Sequence, residues 1–106
     1  VFMLVSASDS VSAANDQYIE IRNETGKIIL GISIYNDDYG YVYTTGTDIR
    51  DGDYEIISLD SRYQYWDIEI YVEGKGEYTW DNVDLSGVSN IKFYRNGYGY
   101  IHMQEY

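Results

Sequence analysis

Trp66, Ile68, Ile70 and Val72 alternate without a break with Asp67, Glu69, Tyr71 and Glu73, and this period of two is what most constrains the chain. Successive side chains of an extended strand point to opposite faces, so the run reads as a strand with an apolar inner face and an acidic, aromatic outer one. Glu73, Gly74, Lys75 and Gly76 then supply turn chemistry. Glu77 to Val83 returns with Tyr78 and Trp80 on one parity and Thr79 and Asp81 on the other. Two such runs around a glycine turn predict an antiparallel hairpin.

The same pattern extends along the chain. Tyr18 to Arg22 places Ile19 and Ile21 inward, Asn23 to Gly26 reads as a hairpin turn, and Lys27 to Tyr35 puts Ile28, Leu30, Ile32 and Ile34 on one face. Asn36 to Gly40 is a polar connection, Tyr41 to Tyr43 a short strand, and Asp48 to Asp53 a turn pivoting on Gly52. In Tyr54 to Leu59 the residues Ile56, Ile57 and Leu59 do not share a parity, which a bulge would reconcile. Asp84 to Val88 is the one stretch suited to a helical turn, and Asn96-Gly97 predicts a last hairpin closing through Tyr100 to Gln104.

No segment of helical length carries apolar residues at spacings of three and four, so the expected fold is all-β. Roughly seven to nine short strands suggest a two-sheet antiparallel sandwich of immunoglobulin-like type, because several isoleucine faces must cover one another; a small β-barrel is the alternative. A chain of 106 residues is the size of one domain. Val1 to Val5 is an unbroken apolar run followed by small residues, which fits the tail of a secretory signal cut before Ala14. Residues 1–13 are therefore expected to be a signal-peptide remnant or an added N-terminal strand, and residues 14–106 a single sandwich domain that is secreted, periplasmic or at the cell surface. Five apolar residues are too few to cross a bilayer, so no membrane span is expected.

Ile21-Arg22-Asn23-Glu24-Thr25-Gly26, the run Trp66-Asp67-Ile68-Glu69-Ile70, and the later Gly74, Gly76, Tyr78, Trp80 and Asn82-Val83-Asp84-Leu85 together span most of the chain after Ala13. In these residues the sequence resembles a group of small exported bacterial proteins of uncharacterised function. The resemblance implies export and a β-sandwich, and it carries no activity to transfer.

Eighteen acidic against seven basic residues give a net charge of −11. Such a field repels phosphate backbones and anionic headgroups, so nucleic acid is excluded as an expected partner. Cysteine is absent, which removes thiol chemistry and disulfides. The sole histidine, His102, has no nucleophile motif beside it, and among so many carboxylates the existence of a pair carries little information. No catalytic residue is nominated, and the chain is not read as an enzyme. Calcium is the one cofactor to weigh, chiefly at Asp48, Asp51 and Asp53, although Asp-Gly is also ordinary turn chemistry.

Tyrosine is the functional lead, at 14 residues. A phenol ring offers an apolar face, a hydroxyl and little rotamer entropy to lose on binding, while tyrosine also favours strands for packing reasons alone. The candidate ligand-binding residues are Tyr35, Tyr41, Tyr43, Tyr94, Tyr98 and Tyr100. The expected role is a non-catalytic binding module for carbohydrate or a surface protein, acting through a tyrosine-rich sheet face or the acidic turns. The alternative is a structural subunit that self-associates by edge-strand addition, since no proline blocks any edge.

Overall fold

The computed structural model describes residues 16–38, 41–45 and 48–106, with the backbone alone for 41–45. The apolar run at Val1 to Val5 lies outside the described residues, as does Gly40 at the end of the first acidic connection. Eight strands follow in order: β1 (Asp16–Glu24), β2 (Ile29–Asn36), β3 (Tyr41–Thr45), β4 (Tyr54–Asp60), β5 (Tyr65–Val72), β6 (Gly76–Asp84), β7 (Asn90–Arg95) and β8 (Ile101–Glu105). They form two four-stranded sheets, ordered β4-β1-β7-β8 and β3-β2-β5-β6, with no helix among the described residues.

Both sheets turn their aliphatic parity inward. Ile19, Ile21, Ile57, Leu59, Ile91 and Phe93 of the first sheet meet Ile29, Ile32, Ile34, Trp66, Ile68, Ile70 and Val72 of the second in one buried cluster. The chain is thus a two-sheet sandwich. Trp80 packs against Phe93 with ring centroids 5.3 Å apart, so β6 of one sheet lies over β7 of the other.

The topology departs from a ladder of consecutive hairpins. β1 pairs with β4 and β2 with β5, the cross-sheet alternation that strands B, C, E and F make in an immunoglobulin sandwich. β3 and β6 flank the second sheet as C′ and G do. The place of strand A is taken by β7, which runs parallel to β1. The segment from Asn23 to Gly26 is therefore not a hairpin turn: it carries the chain from one sheet to the other, since β1 and β2 are never neighbours.

Asn23 and Thr25 build that corner from the inside, and both are buried. Asn23 Nδ2 donates to the carbonyls of Lys27 at 2.6 Å and Ile49 at 2.8 Å, while its Oδ1 accepts from the Thr25 N–H and hydroxyl at 2.9 and 2.7 Å. The tripeptide Asn23-Glu24-Thr25 has the form of a glycosylation sequon, but its amide is committed to these bonds. Gly26, at φ 82°, donates its N–H to Asp51 Oδ1 at 2.8 Å, tying this corner to the second crossing between β3 and β4.

Three local expectations are corrected. Leu30 is exposed and Ile29 is buried, because Leu30 is an extra residue between the Ile29–Val72 and Gly31–Tyr71 pairs, and this bulge resets the parity of β2. β4 instead pairs with β1 in continuous register from Tyr54 to Asp60, so no bulge exists there and Ile56 simply faces out. Asp84 to Val88 forms a turn closed by the Val88 N–H on the Leu85 carbonyl, at 3.1 Å, rather than a turn of helix.

Candidate functional site

Parity and strand order together decide what the first sheet shows to solvent. Opposite Ile19 and Ile21, β1 presents Tyr18, Glu20, Arg22 and Glu24; β4 presents Tyr54, Ile56 and Ser58; β7 presents Asn90, Lys92 and Tyr94; β8 presents His102 and Gln104, with Tyr106 just beyond. The registers place Ile56, Glu20 and Asn90 in one row across the sheet, and the Tyr106 N–H donates to the Asn90 carbonyl at 3.0 Å. The next row is Tyr54, Arg22, Lys92 and Gln104, and the one beyond it Glu24, Tyr94 and His102.

At the centre, Arg22, Glu20 and Tyr106 close a hydrogen-bonded triangle. Arg22 Nε donates to the Tyr106 hydroxyl at 3.2 Å, the hydroxyl donates to Glu20 Oε2 at 3.0 Å, and Arg22 Nη2 reaches the same oxygen at 3.1 Å. These bonds, with Tyr106 first, raise the guanidinium pKa further above its ordinary value. The guanidinium also lies 5.4 Å from the Tyr54 ring centre. Lys92 stands 5.7 Å from the Tyr106 ring and 5.8 Å from that of Tyr94, and its ammonium is 3.9 Å from Glu24 Oε1. Tyr94 in turn stacks on His102, centroids 5.5 Å apart at 27°. Rings and cations thus alternate from β4 across to β8, a pattern in which the positive groups sit against aromatic quadrupoles.

Tyr54 and Tyr106 keep 55% and 52% of their surface in solvent despite these contacts, and Tyr18, whose hydroxyl donates to Asp16 Oδ2 at 3.3 Å, keeps 58%. Two hollows open beside the loop Ser86 to Ser89 at one end of this face. One, of about 340 Å³, is bordered by Asn90, Glu105 and Tyr106, and the other, of about 400 Å³, by Asp16, Tyr18 and Ser61.

The outer face of the second sheet has a different chemistry. Its strands β2, β5 and β6 contain no Lys or Arg, and Tyr35, Asp67, Glu69, Tyr71, Glu77 and Thr79 point outward. The hydrogen bond to Glu77, followed by its charge, pushes the Glu69 carboxyl above its usual range, and both border a hollow of about 180 Å³ over Gly31.

The six tyrosines nominated from spacing are spread over three places. Tyr35 is on the second sheet, and Tyr41 and Tyr43 lie on edge strand β3 opposite Asn36 and Ile34, with their side chains outside the described residues. Tyr98 and Tyr100 occupy the β7–β8 connection, where Asn96 Oδ1 accepts from their N–H groups at 2.9 and 3.0 Å. Only Tyr94 belongs to the face just described. Its companions Tyr18, Tyr54 and Tyr106 are not among the six: parity marks Tyr18 as outward, the mixed parity of Ile56, Ile57 and Leu59 leaves the side of Tyr54 open, and neighbourhood across a sheet needs the strand order.

Asp51 serves the corner through its bond to Gly26, and no three His, Asp or Glu side chains gather into a metal-holding group among the described residues, Asp48, Asp51 and Asp53 included. His102 faces Asn96 Nδ2 at 2.9 Å.

Comparison with protein-family models, with curated proteins and with solved structures finds no match to this chain.

Proposed function

We propose that the chain is an exported, non-catalytic binding module whose ligand surface is the outer face of the β4-β1-β7-β8 sheet, and that its ligand is a carbohydrate. One observation carries the reading: the half-exposed phenols of Tyr18 and Tyr54 share one sheet face with a pre-bonded Arg22–Glu20–Tyr106 triangle whose own phenol is also half exposed. Phenol faces stack on the apolar faces of sugar rings, and side chains already held in place lose little freedom when a ligand arrives. Cross-strand packing alone would account for tyrosines on a sheet. What sets this face apart is that its exposed rings stand beside donors and acceptors already fixed by mutual hydrogen bonds. Export is supported by the apolar run at Val1 to Val5 and by the resemblance to small exported proteins.

The test is a glycan array followed by titration of the glycans retained, with Tyr54→Ala as the variant and a thermal melt as the folding control. Tyr54→Ala should weaken binding by roughly tenfold, the value of one good ring contact. No glycan retained by the folded protein would remove the reading.

A second reading is a structural subunit that adds strands edge to edge. It is favoured by β6, which at nine residues is among the longest strands yet, among the described residues, has β5 as its only neighbour in the sheet. Sedimentation velocity over a wide concentration range that shows monomer throughout would remove it.

A further inference from the structure

Resting on the carbohydrate reading, we infer that the ligand lies across the strands and that the face takes the interior of an extended, uncharged glycan chain rather than a chain end. Direction comes from the placement of the rings. Tyr54 is on edge strand β4 in register with Arg22 and Lys92, and Tyr94 on β7 and His102 on the opposite edge strand β8 stand one register row further along, with Tyr106 beside Arg22 and Lys92, so the row crosses the sheet on a slant. Four strands at the usual spacing set the two edges about 14 Å apart, so a ligand touching both ends of the row must be several sugar units long. Along the strands no such succession exists: β1 follows Tyr18 with Glu20, Arg22 and Glu24.

Openness argues for the interior of a chain. Both ends of the ring-and-cation row fall on edge strands, so among the described residues neither is closed by a further strand of the sheet. The two hollows at this face border the loop Ser86 to Ser89, at the ends of the strands; one touches the row only at Tyr106, between its two ends, and the other, at Asp16, Tyr18 and Ser61, shares no residue with it. A site that recognises a chain end needs a wall to stop against, and an open row lets the polymer continue past both edges.

Charge argues for a neutral ligand. Arg22 is paired with Glu20, Lys92 lies near Glu24, and the chain as a whole carries −11, so a polyanion gains little locally and is repelled at distance. Cation and carboxylate side by side instead present a donor next to an acceptor. A sugar hydroxyl, which both donates and accepts, can satisfy the two together.

The experiment is calorimetric titration of the full chain with cello-, xylo- and manno-oligosaccharides of one to six units, with their reduced-end forms, and with polygalacturonate. Affinity in at least one neutral series should climb with length, level off at about three or four units as the row width requires, and be unchanged by reducing the end. Tyr54→Ala should bring the plateau to shorter oligomers, whereas Tyr71→Ala on the opposite sheet should leave it in place. A monosaccharide bound as tightly as the hexamer, sensitivity to the reduced end, or preference for polygalacturonate would overturn the inference while leaving a carbohydrate module standing. Failure of every oligomer and of the glycan array would overturn both.

Discussion

Asn23 donates through Nδ2 to the carbonyl of Ile49 at 2.8 Å, joining the two places where the chain changes sheets. The same side chain bonds Lys27 and twice bonds Thr25, so all of its hydrogen-bonding capacity is used while its surface is fully buried. Backbone bonds reinforce the junction: Asn23 N–H to the Asp53 carbonyl at 2.9 Å and Gly52 N–H to the Asn23 carbonyl at 2.7 Å. The corner holds the sheets in register, and the outer face of the first sheet inherits its geometry from that alignment.

Asn23→Ala should therefore cost about 2–3 kcal/mol in urea unfolding, since several buried bonds are lost together and the Thr25 N–H is left without its acceptor. Asn23→Asp should also destabilise, because a buried carboxylate would then face carbonyl oxygens. A change within about 0.5 kcal/mol for either would show that the corner is held by other contacts.

Neighbouring isoleucines on β4 should respond oppositely to truncation. Ile57→Ala should cost about 2–5 kcal/mol as a core deletion, and Ile56→Ala, on the solvent side, about 0.5 kcal/mol or less. Equal costs by chemical denaturation would mean that the parity of β4 is misassigned.

The two tryptophans should separate in the same way. Trp66 is buried, donates Nε1–H to the Tyr63 carbonyl at 3.1 Å and meets the Tyr63 ring edge-on, so Trp66→Ala should cost about 3–5 kcal/mol. Trp80 is only partly buried at the β6–β7 seam and should cost less. In Trp80→Phe the remaining Trp66 should emit at short wavelength and resist quenching by iodide.

Acid titration should split two carboxylates. Glu69 is raised by Glu77, so the native state holds its proton more tightly than the unfolded chain; that stabilisation is present in acid and lost as pH rises through the folded value. Glu77→Gln should accordingly melt above wild type at pH 7, with the difference closing below about pH 4. Asp84 is lowered by the Ser86 hydroxyl first, then by the Ser86 N–H and Gln64, so its contribution is present above the unfolded value and lost as pH falls through the folded one. Asp84→Asn should be less stable than wild type at pH 7 and converge with it in acid. Melting curves at the two pH values check both directions.

How far the sequence reaches can be judged residue by residue. Alternation at Trp66, Ile68, Ile70 and Val72 marks a buried face by itself, because a strand has only two sides and one must avoid water. The return through Tyr78 and Trp80 and the final hairpin around Asn96-Gly97 are legible for the same local reason. Leu30 misleads because a bulge is a cross-strand property: nothing in Ile29-Leu30-Gly31 says that only two residues, Val72 and Tyr71, will oppose these three.

The amino-acid sequence alone determined that the chain is all-β, where most strands run and, where alternation is unbroken as in β1 and β5, which side chains face the interior, since burial parity is a property of consecutive residues. Only the tertiary structure decided that β1 and β2 join different sheets, that β7 runs parallel beside β1, and that Tyr54, Arg22, Lys92 and Tyr106 share one face. Those relations link residues as much as 84 positions apart, as Arg22 and Tyr106 are. Pairing at that range is chosen by how two whole sheets cover each other, not by any local run of side chains.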